Sequence, residues 1–268
     1  MKEQKFSGVQ DTLFIPLAAR VLISQRFPEY FYDRESMKFK DLDQVQAINE
    51  KSPEYTAIAS VARYYNMDRY TEEFLSRYPN GNVVNLGAGL DTQSSRIEGP
   101  KARFYAVDFP DVIRMREQIL GKSEKETRIG CDITNMEWTE QLDRTKPSMF
   151  IVSGVFQYFK PEAVAEFLRN MKAVFPKGEM VFDATNEVGI RYAQRYVKKS
   201  GNREAMMYFY INDAEKFAEE NKVTLLQARG FYDEARKIIG KKAGLYTRIA
   251  MKVADDKKRT LLLHIRFH

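Results

Sequence analysis

The sequence predicts an α/β fold whose core is a doubly wound, mostly parallel sheet. Three observations lead to this prediction: a helical pattern near the N-terminus, a change of texture at Gly81, and a regular alternation of short apolar runs with amphipathic segments after it. Strand, helix and strand in this rhythm form right-handed βαβ units, so helices cover both faces of the sheet. We therefore expect a helical N-terminal cap over residues 1–79 and one α/β domain over residues 80–268.

The N-terminal segment is helical in pattern throughout. Asp11 or Thr12 can cap a first helix, because both side chains accept hydrogen bonds from helix N–H groups. Ser52 and Pro53 begin a second, longer helix, with serine at the N-cap and proline in the first turn. Apolar residues recur along it at helical spacing, and the Pro-Asn-Gly sequence at residues 79–81 ends it.

The rest of the chain alternates strands with helices. No Gly/Ser-rich linker separates it from the N-terminal segment, so we expect the two parts to pack together. Short apolar runs predict strands over residues 83–87, 104–109, 126–133, 148–154, 179–185, 223–228 and 259–267. Amphipathic spacing between and after them predicts helices over residues 111–120, 139–144, 161–175, 214–221 and 232–239.

The composition excludes several classes of protein. The chain has 43 Lys and Arg against 37 Asp and Glu, and this net charge of +6 is spread along it. Readers of nucleic acid usually concentrate such charge in a basic stripe, so no nucleic-acid partner is expected. One cysteine excludes an intramolecular disulfide framework, and two histidines at the extreme C-terminus leave little for a metal site or a catalytic triad. We expect chemistry without a metal.

The chain also lacks the signals of membrane proteins. No apolar run approaches the roughly 18–20 residues that span a bilayer. The first residues are polar where a signal peptide would be apolar. We expect a cytoplasmic protein without a membrane partner, and the sequence leaves its oligomeric state open.

A glycine-rich turn follows the first predicted strand, in the sequence VVNLGAGLDT at residues 83–92. Gly87 and Gly89 allow a tight turn and a close approach of a ligand to main-chain N–H groups. Thr92 stands where the dinucleotide fingerprint has its third glycine, and the phosphate loop of NTPases is absent. Together with Asp91 beside the turn, this favours a nucleotide-like ligand without phosphates, such as S-adenosylmethionine.

Acidic residues end the next two predicted strands. Asp108 lies nineteen residues beyond Gly89, where a carboxylate can accept both hydroxyl groups of a ribose. Asp132 and Ile133 end the following strand, where the acid could contact the adenine amino group and the apolar side chain could cover its ring. Each acid also has a structural explanation: Asp108 as the N-cap ahead of Pro110, and Asp132 as a turn residue.

Three segments together resemble the leucine carboxyl methyltransferase family: VVNLGAGLDT, AVDFPDVIRMRE at residues 106–117, and FIVSGVFQYFKPEAV at residues 150–164. TLFIPLAAR at residues 12–20 is similar to the bacterial branch of that family, the polyketide O-methyltransferases of the tetracenomycin type. The resemblance covers most of the chain. It implies an S-adenosylmethionine-dependent methyltransferase with a Rossmann-like sheet of seven strands, the last antiparallel, and a helical N-terminal cap over the site.

The resemblance also implies a set of cofactor contacts. Arg63, in the helix before the first strand, would bind the carboxylate of the cofactor's amino-acid tail. Asp108 would bind the ribose. The whole implied set is Arg63, Gly87, Ala88, Gly89, Asp108, Phe109, Asp132, Ile133 and Ser153. Ser153 departs from the family, which usually has an acidic residue there, and a hydroxyl lacks the strength of a charge-assisted hydrogen bond.

Methyl transfer from a sulfonium is an in-line displacement of a neutral leaving group, so catalysis can rest on holding the acceptor oxygen in line. An ionised carboxylate needs no base and a phenol needs little help, which suits a chain poor in histidine. Phe156 and Tyr158 are expected to border the methyl group, where aromatic faces stabilise a cation by about 0.5–2 kcal/mol; core packing is the alternative. The acceptor pocket is expected to contain Arg20, Asn186, Arg191, Tyr192, Tyr208 and Tyr210.

The expected function is therefore methyl transfer to a carboxylate or phenolic oxygen of a small molecule, or to a peptide carboxylate. A nicotinamide-dependent oxidoreductase is one alternative, against which the missing third glycine and the absence of a Tyr-x-x-x-Lys pair both count. A catalytically inactive ligand-binding protein of the same fold is another, because of Ser153. A nucleic-acid methyltransferase is least expected, since no Asn-Pro-Pro-Tyr motif follows the fourth strand.

Overall fold

The structure is a computed structural model that describes residues 9–99, 101–199 and 206–268. Within those ranges seven strands form one sheet: β1 (Asn82–Leu86), β2 (Arg103–Asp108), β3 (Glu126–Gly130), β4 (Ser148–Val152), β5 (Glu179–Thr185), β6 (Thr224–Arg229) and β7 (Thr260–Arg266). The strand order is β3-β2-β1-β4-β5-β7-β6. Strands β1 to β5 pair in parallel, and β7 runs antiparallel to both of its neighbours. The predicted doubly wound, mostly parallel sheet is confirmed.

Helices connect and cover the strands. They are α1 (Val9–Arg26), α2 (Asp43–Lys51), α3 (Glu54–Arg77), α4 (Gln93–Arg96), α5 (Pro110–Leu120), α6 (Pro161–Val174), α7 (Glu187–Lys199), α8 (Ala214–Glu220), α9 (Asp233–Ile238) and α10 (Leu245–Asp256). Helices α5 and α6 begin with proline, whose fixed φ suits the first turn. In the described part of the chain, no helix is both long enough and apolar enough to cross a membrane.

Several predicted helix boundaries are wrong. Helix α1 begins at Val9, so Asp11 and Thr12 lie inside it instead of capping it. The N-terminal segment is also interrupted, because only a short 3-10 turn forms between α1 and α2. The helix predicted over residues 139–144 is a 3-10 turn at Glu137–Gln141. In a short, polar segment with few apolar contacts, helical spacing is a weak signal.

Helices α7 and α10 were not predicted. In α10 the side chains of Leu245, Tyr246 and Ile249 are exposed, while Thr247 and Met251 are buried. Apolar residues therefore occur on both the exposed and the buried face of this helix. A surface helix is usually recognised by apolar residues on one face only, so this one is harder to predict from the sequence.

The two faces of the sheet bury separate apolar cores, as alternation of side chains along a strand requires. On one face, α1, α3, α9 and α10 cover side chains such as Val83, Met149 and Val181. On the other, α6 and α8 cover Val84 and Phe150. Helix α3 therefore lies directly on the sheet, and the division of the chain at residue 79 stays a prediction.

A candidate cofactor and acceptor site

The candidate site lies where the carboxyl ends of β1, β2, β4 and β5 meet. Strand β1 has β2 on one side and β4 on the other, so the chain order reverses between β1 and β4. Open α/β sheets bind ligands in the crevice at such a switch point. The structure brings Gly87, Asp108 and Ser153 together there, because each directly follows or ends one of these strands.

The glycine turn has a conformation and a packing that exclude side chains. Gly87 and Gly89 have φ angles of +72° and +48°, in the left-handed region that favours glycine. A Cβ atom at Gly87 would overlap Val155, and one at Gly89 would lie 3.3 Å from Leu13 Cδ2. A cavity of about 20 Å³ opens beside the turn, with Ser153 in its wall. The turn therefore keeps main chain, and not side chains, against this space.

Asp108 is buried beside the turn and holds its backbone. Its Oδ2 accepts the N–H of Gly89 and its Oδ1 accepts the N–H of Phe109, both at 2.8 Å. Burial raises the pKa of this carboxyl, and the two backbone hydrogen bonds and Arg116 offset part of that rise. Its side chain does not cap α5, so the N-cap explanation is not observed. Each carboxylate oxygen keeps capacity for a ligand hydroxyl.

The residues expected near an adenine ring lie one strand further out. Asp132 Oδ1 accepts the backbone N–H and the hydroxyl of Thr134, at 2.9 and 2.8 Å. This caps the 3-10 turn Ile133–Asn135, so the turn explanation for Asp132 is observed. Ile133 is buried, whereas Phe109 exposes 56% of its surface. An adenine contact by Asp132, Ile133 and Phe109 stays a prediction.

Arg63 reaches the site from α3 and meets a residue that the sequence analysis missed. Its Nη1 lies 3.4 Å from Oδ2 of Asp183, in β5, and Asp183 Oδ1 accepts the N–H of Gly154. Arg63 is thus paired and is not a freely solvated surface residue. Asp183 stands two positions before the end of a predicted strand, so the rule that singled out Asp108 and Asp132 could have found it.

Arg20 lies behind the glycine turn, not in an open pocket. Its side chain is fully buried, its Nη2 donates to the carbonyl of Leu90 at 2.6 Å, and its Nε lies 3.1 Å from Asp33 Oδ2. Its Nη1 lies 3.4 Å from Asp91 Oδ1. Arg20 therefore ties α1 to the turn, and it offers no exposed surface to an acceptor.

A second buried guanidinium completes this cluster of charges. Arg96 binds Asp68 through two hydrogen bonds of 2.6 and 2.9 Å and also contacts Asp91 and Asp33. Burial raises the pKa of Asp33, but Arg20 and Arg96 outweigh it, so the pKa lies below its ordinary value. Burial dominates at Asp68 and raises its pKa to about 6. Three carboxylates, Asp33, Asp68 and Asp91, therefore share the two guanidinium groups of Arg20 and Arg96.

The two residues expected beside the methyl group differ in exposure. Phe156 is buried, with its ring centroid 5.2 Å from that of Phe182 and 5.8 Å from that of Phe167. Core packing, the alternative explanation, is therefore observed for Phe156. Tyr158 is 43% exposed at the carboxyl edge, in the 3-10 turn that follows β4.

The acceptor candidates after β5 are spread along the same edge. Tyr208 and Tyr210 are 43% and 41% exposed, and the Tyr208 N–H donates to the carbonyl of Gln157 at 2.8 Å, which brings it next to Tyr158. Tyr192 is also exposed, with Arg259 5.2 Å from its ring.

Two further candidates have structural partners in α7. The Asn186 side chain accepts the N–H of Gly189 at 2.8 Å and donates to the carbonyl of Lys257. Arg191 is exposed and pairs with Glu187 one turn away. Both residues therefore stabilise α7 and its attachment, and acceptor contacts for them stay predictions.

Comparison with known proteins identifies the family of this chain. The sequence model of leucine carboxyl methyltransferases matches residues 3–172, well over half of the chain. The chain belongs to the leucine carboxyl methyltransferase family. It is an S-adenosylmethionine-dependent methyltransferase, which decides against the oxidoreductase as an alternative.

Individual relatives agree with the family. The chain is 26% identical over 194 residues to the tetracenomycin polyketide synthesis O-methyltransferase TcmP of Streptomyces glaucescens, with 71% of each chain covered. A DUF574 family protein of Streptomyces avermitilis has the same fold, with a TM-score of 0.60, 14% identity, and 94% of this chain and 97% of that one covered. The small RNA methyltransferase HEN1 matches with a TM-score of 0.51 and 12% identity over 78% of this chain and 26% of its own.

Proposed function

We propose that this methyltransferase transfers the methyl group of S-adenosylmethionine to a carboxylate or phenolic oxygen of a small molecule. The observation that carries the proposal is the makeup of the carboxyl edge, where Tyr158 and Tyr208 are exposed and where none of the histidines in the described part of the chain lies. His264 is bonded to Glu179 and His268 follows β7, both toward the opposite edge of the sheet. A carboxylate acceptor is already ionised and needs no base, whereas a phenol or an ammonium group must lose a proton, which at this exposed edge would pass to water.

The residues at the edge fit the cofactor. S-adenosylmethionine supplies a methyl group activated by a positive sulfur, so the protein has to bind, orient and exclude water. Gly87 and Gly154 let Val155 and Arg63 pack directly against the main chain of the edge, where a Cβ atom would overlap them. Asp108 would accept the ribose hydroxyls, and Arg63 would bind the tail carboxylate. These roles would leave the exposed face of Tyr158 toward the acceptor.

The acceptor class is supported from two sides. The relative TcmP is named for polyketide O-methylation, and polyketides carry phenols and carboxylates. The exposed rings of Tyr158, Tyr208 and Tyr210 offer flat apolar faces on which a planar acceptor could stack. A peptide carboxylate is the second expected acceptor, and like any carboxylate it would need no base.

Product chemistry tests the proposal. We expect enzyme supplied with methyl-labelled S-adenosylmethionine and a panel of aromatic acids, phenols, amines and C-terminal peptides to label oxygen. Mild alkali hydrolyses methyl esters to methanol and leaves aryl methyl ethers intact, so it separates the two oxygen acceptors. Labelled amines or ring carbons, or cofactor binding with no oxygen-labelled product across the panel, would contradict the proposal.

Replacement of Asp108 tests the site. We expect Asp108→Ala to weaken S-adenosylhomocysteine binding at least a hundredfold in calorimetry, because the ribose loses its acceptor. The same change leaves two backbone N–H groups unpaired, which should lower the free energy of unfolding by about 1–3 kcal/mol. Asp111→Ala, an exposed carboxylate at the start of α5, is the control and should leave binding unchanged. Near wild-type affinity in Asp108→Ala would remove the assignment.

A further inference from the structure

Asp183 lies next to Ser153 at the carboxyl ends of β4 and β5. Ser153 itself brings no charge to this part of the site. Phe182, the neighbour of Asp183, pairs with Val152 across β4 and β5, so Asp183 and Ser153 follow that pair at the same edge. The Asp183 side chain is 9% exposed, and its Oδ1 accepts the N–H of Gly154 at 2.5 Å. A buried carboxylate therefore adjoins the loop that carries Ser153.

Arg63 packs onto the same backbone. Its Nη1 lies 3.4 Å from Asp183 Oδ2, and a Cβ atom at Gly154 would lie 2.5 Å from that Nη1. Gly154 has a φ of +71°, so no other residue fits there without strain. The guanidinium, the Gly154 amide and the Asp183 carboxylate form one compact unit, which a change at Asp183 would rearrange.

The Arg63 guanidinium keeps donors for a ligand. Arginine has five N–H donors, and among the described residues the bond to Asp183 is the one recorded for it. Burial lowers the pKa of Arg63, but Asp183 and Tyr64 outweigh it, so the group stays charged. Its side chain is 20% exposed. A positive and a negative charge thus lie side by side next to Ser153, which borders the cavity.

We propose that Asp183 is the positioning residue for a zwitterionic amino-acid tail. It orients Arg63 toward the tail's carboxylate, and its own charge attracts the tail's ammonium group. The inference rests on the proposed binding of S-adenosylmethionine and deepens it. Both interactions are charge-assisted, which makes them stronger than hydrogen bonds between neutral groups.

Two ligands that differ only at the tail test this role. S-adenosylhomocysteine carries the amino-acid tail, whereas 5′-methylthioadenosine keeps the adenosine and sulfur without it. Asp183→Asn preserves the size of the side chain and an acceptor for the Gly154 amide. We expect it to weaken S-adenosylhomocysteine binding by about tenfold to a hundredfold in calorimetry, as for loss of a hydrogen bond to a charged group. Methylthioadenosine affinity should change less than about twofold.

Further variants separate positioning from folding. Asp183→Glu should recover most of the affinity, and Asp183→Asn should add little in an Arg63→Gln background, because the two residues act together. Glu162→Gln, an exposed carboxylate in the first turn of α6, should leave both affinities unchanged. If Asp183→Asn does not fold, Asp183→Glu and Arg63→Gln still carry the comparison of the two ligands.

The outcomes are distinguishable. Equal weakening of both ligands would mean that Asp183 only maintains the shape of the pocket, and undiminished binding of S-adenosylhomocysteine would mean that it has no role; either overturns the proposal. Wild-type protein that binds methylthioadenosine and S-adenosylhomocysteine equally well would also overturn it. Failure of the wild type to bind either would instead overturn the proposed function.

Discussion

At the scale of single residues, the last two residues of the LGAGLDT motif, Asp91 and Thr92, serve the protein's own packing. Asp91 contacts both Arg20 and Arg96, and the Thr92 hydroxyl donates to Asp33 at 2.6 Å. The glycines provide the positive φ angles of the turn, whereas Asp91 and Thr92 bind the residues behind it. A threonine in place of the third glycine thus has a structural use, which the sequence alone did not reveal.

Asp68 should make the stability of the protein depend on pH. Its pKa is about 6 in the folded state against an ordinary 3.8, so between these values the folded protein binds more protons than the unfolded chain. The free energy of unfolding from this group therefore falls as pH rises through that window. We expect Asp68→Asn to remove the fall, so that wild type loses about 3 kcal/mol relative to the variant between pH 3.5 and 7. Urea unfolding at several pH values measures this.

Asp33 provides a control of opposite sign. Its folded pKa lies below the ordinary value, so its contribution is present above about pH 4 and is lost as pH falls further. Asp33→Asn should destabilise the protein at neutral pH and remove the loss of stability below about pH 4. A profile between pH 4 and 6 that Asp68→Asn leaves unchanged would contradict the raised pKa of Asp68.

At the scale of elements, the 3-10 turn Phe156–Tyr158 places the ring of Phe156 in the core and leaves the ring of Tyr158 exposed at the carboxyl edge of the sheet. We expect Phe156→Ala to lower the free energy of unfolding by about 3–5 kcal/mol, as for other buried aromatic residues. Phe156→Leu should keep the turnover per folded molecule, whereas Tyr158→Leu should lower turnover with little effect on stability. Chemical unfolding and steady-state kinetics check the pair. Loss of turnover in Phe156→Leu at unchanged stability would restore Phe156 to the site.

The strands were predictable because a central parallel strand is buried on both faces and appears as an apolar run. The site residues that follow strands, Gly87 and Asp108, were predictable for the same reason, since their position depends on local order. Arg20 was expected in the acceptor pocket but lies behind the glycine turn, and Asp183 was not singled out from the sequence. The strand pattern could have drawn attention to Asp183, but its pairing with Arg63, 120 residues away, and that of Arg20 with Asp91, 71 residues away, depend on how elements pack, which local patterns do not contain.

At the scale of the whole molecule, the two ends of the parallel strands differ in the residues that they carry: ion pairs lie at the amino ends, and the candidate site lies at the carboxyl ends. Opposite the site, Glu179 accepts two hydrogen bonds from Arg77 and one from Arg266, and it lies 2.9 Å from His264. This group joins α3, β5 and β7. The carboxyl edge instead collects the glycine turns and the exposed tyrosines. The net charge of +6 has no explanation in either edge.

Glu179 should therefore affect stability alone. We expect Glu179→Gln to lower the free energy of unfolding by about 3 kcal/mol, because its cationic partners lose a buried counterion. The affinity for S-adenosylhomocysteine should stay within twofold of wild type. Denaturation and calorimetry on the same preparation check both, and a large loss of affinity would show that the two edges are coupled.

The tie between Arg20 and Asp91 has a consequence for the order of folding. The two residues are 71 positions apart, and closing so long a loop is slow compared with forming helices or hairpins. A ribosome releases α1 long before the glycine turn exists, so the helix must wait for its partner. The glycine turn gains its full set of contacts only after α1 has returned to it. A ligand that binds at this turn should therefore bind only after α1 has docked.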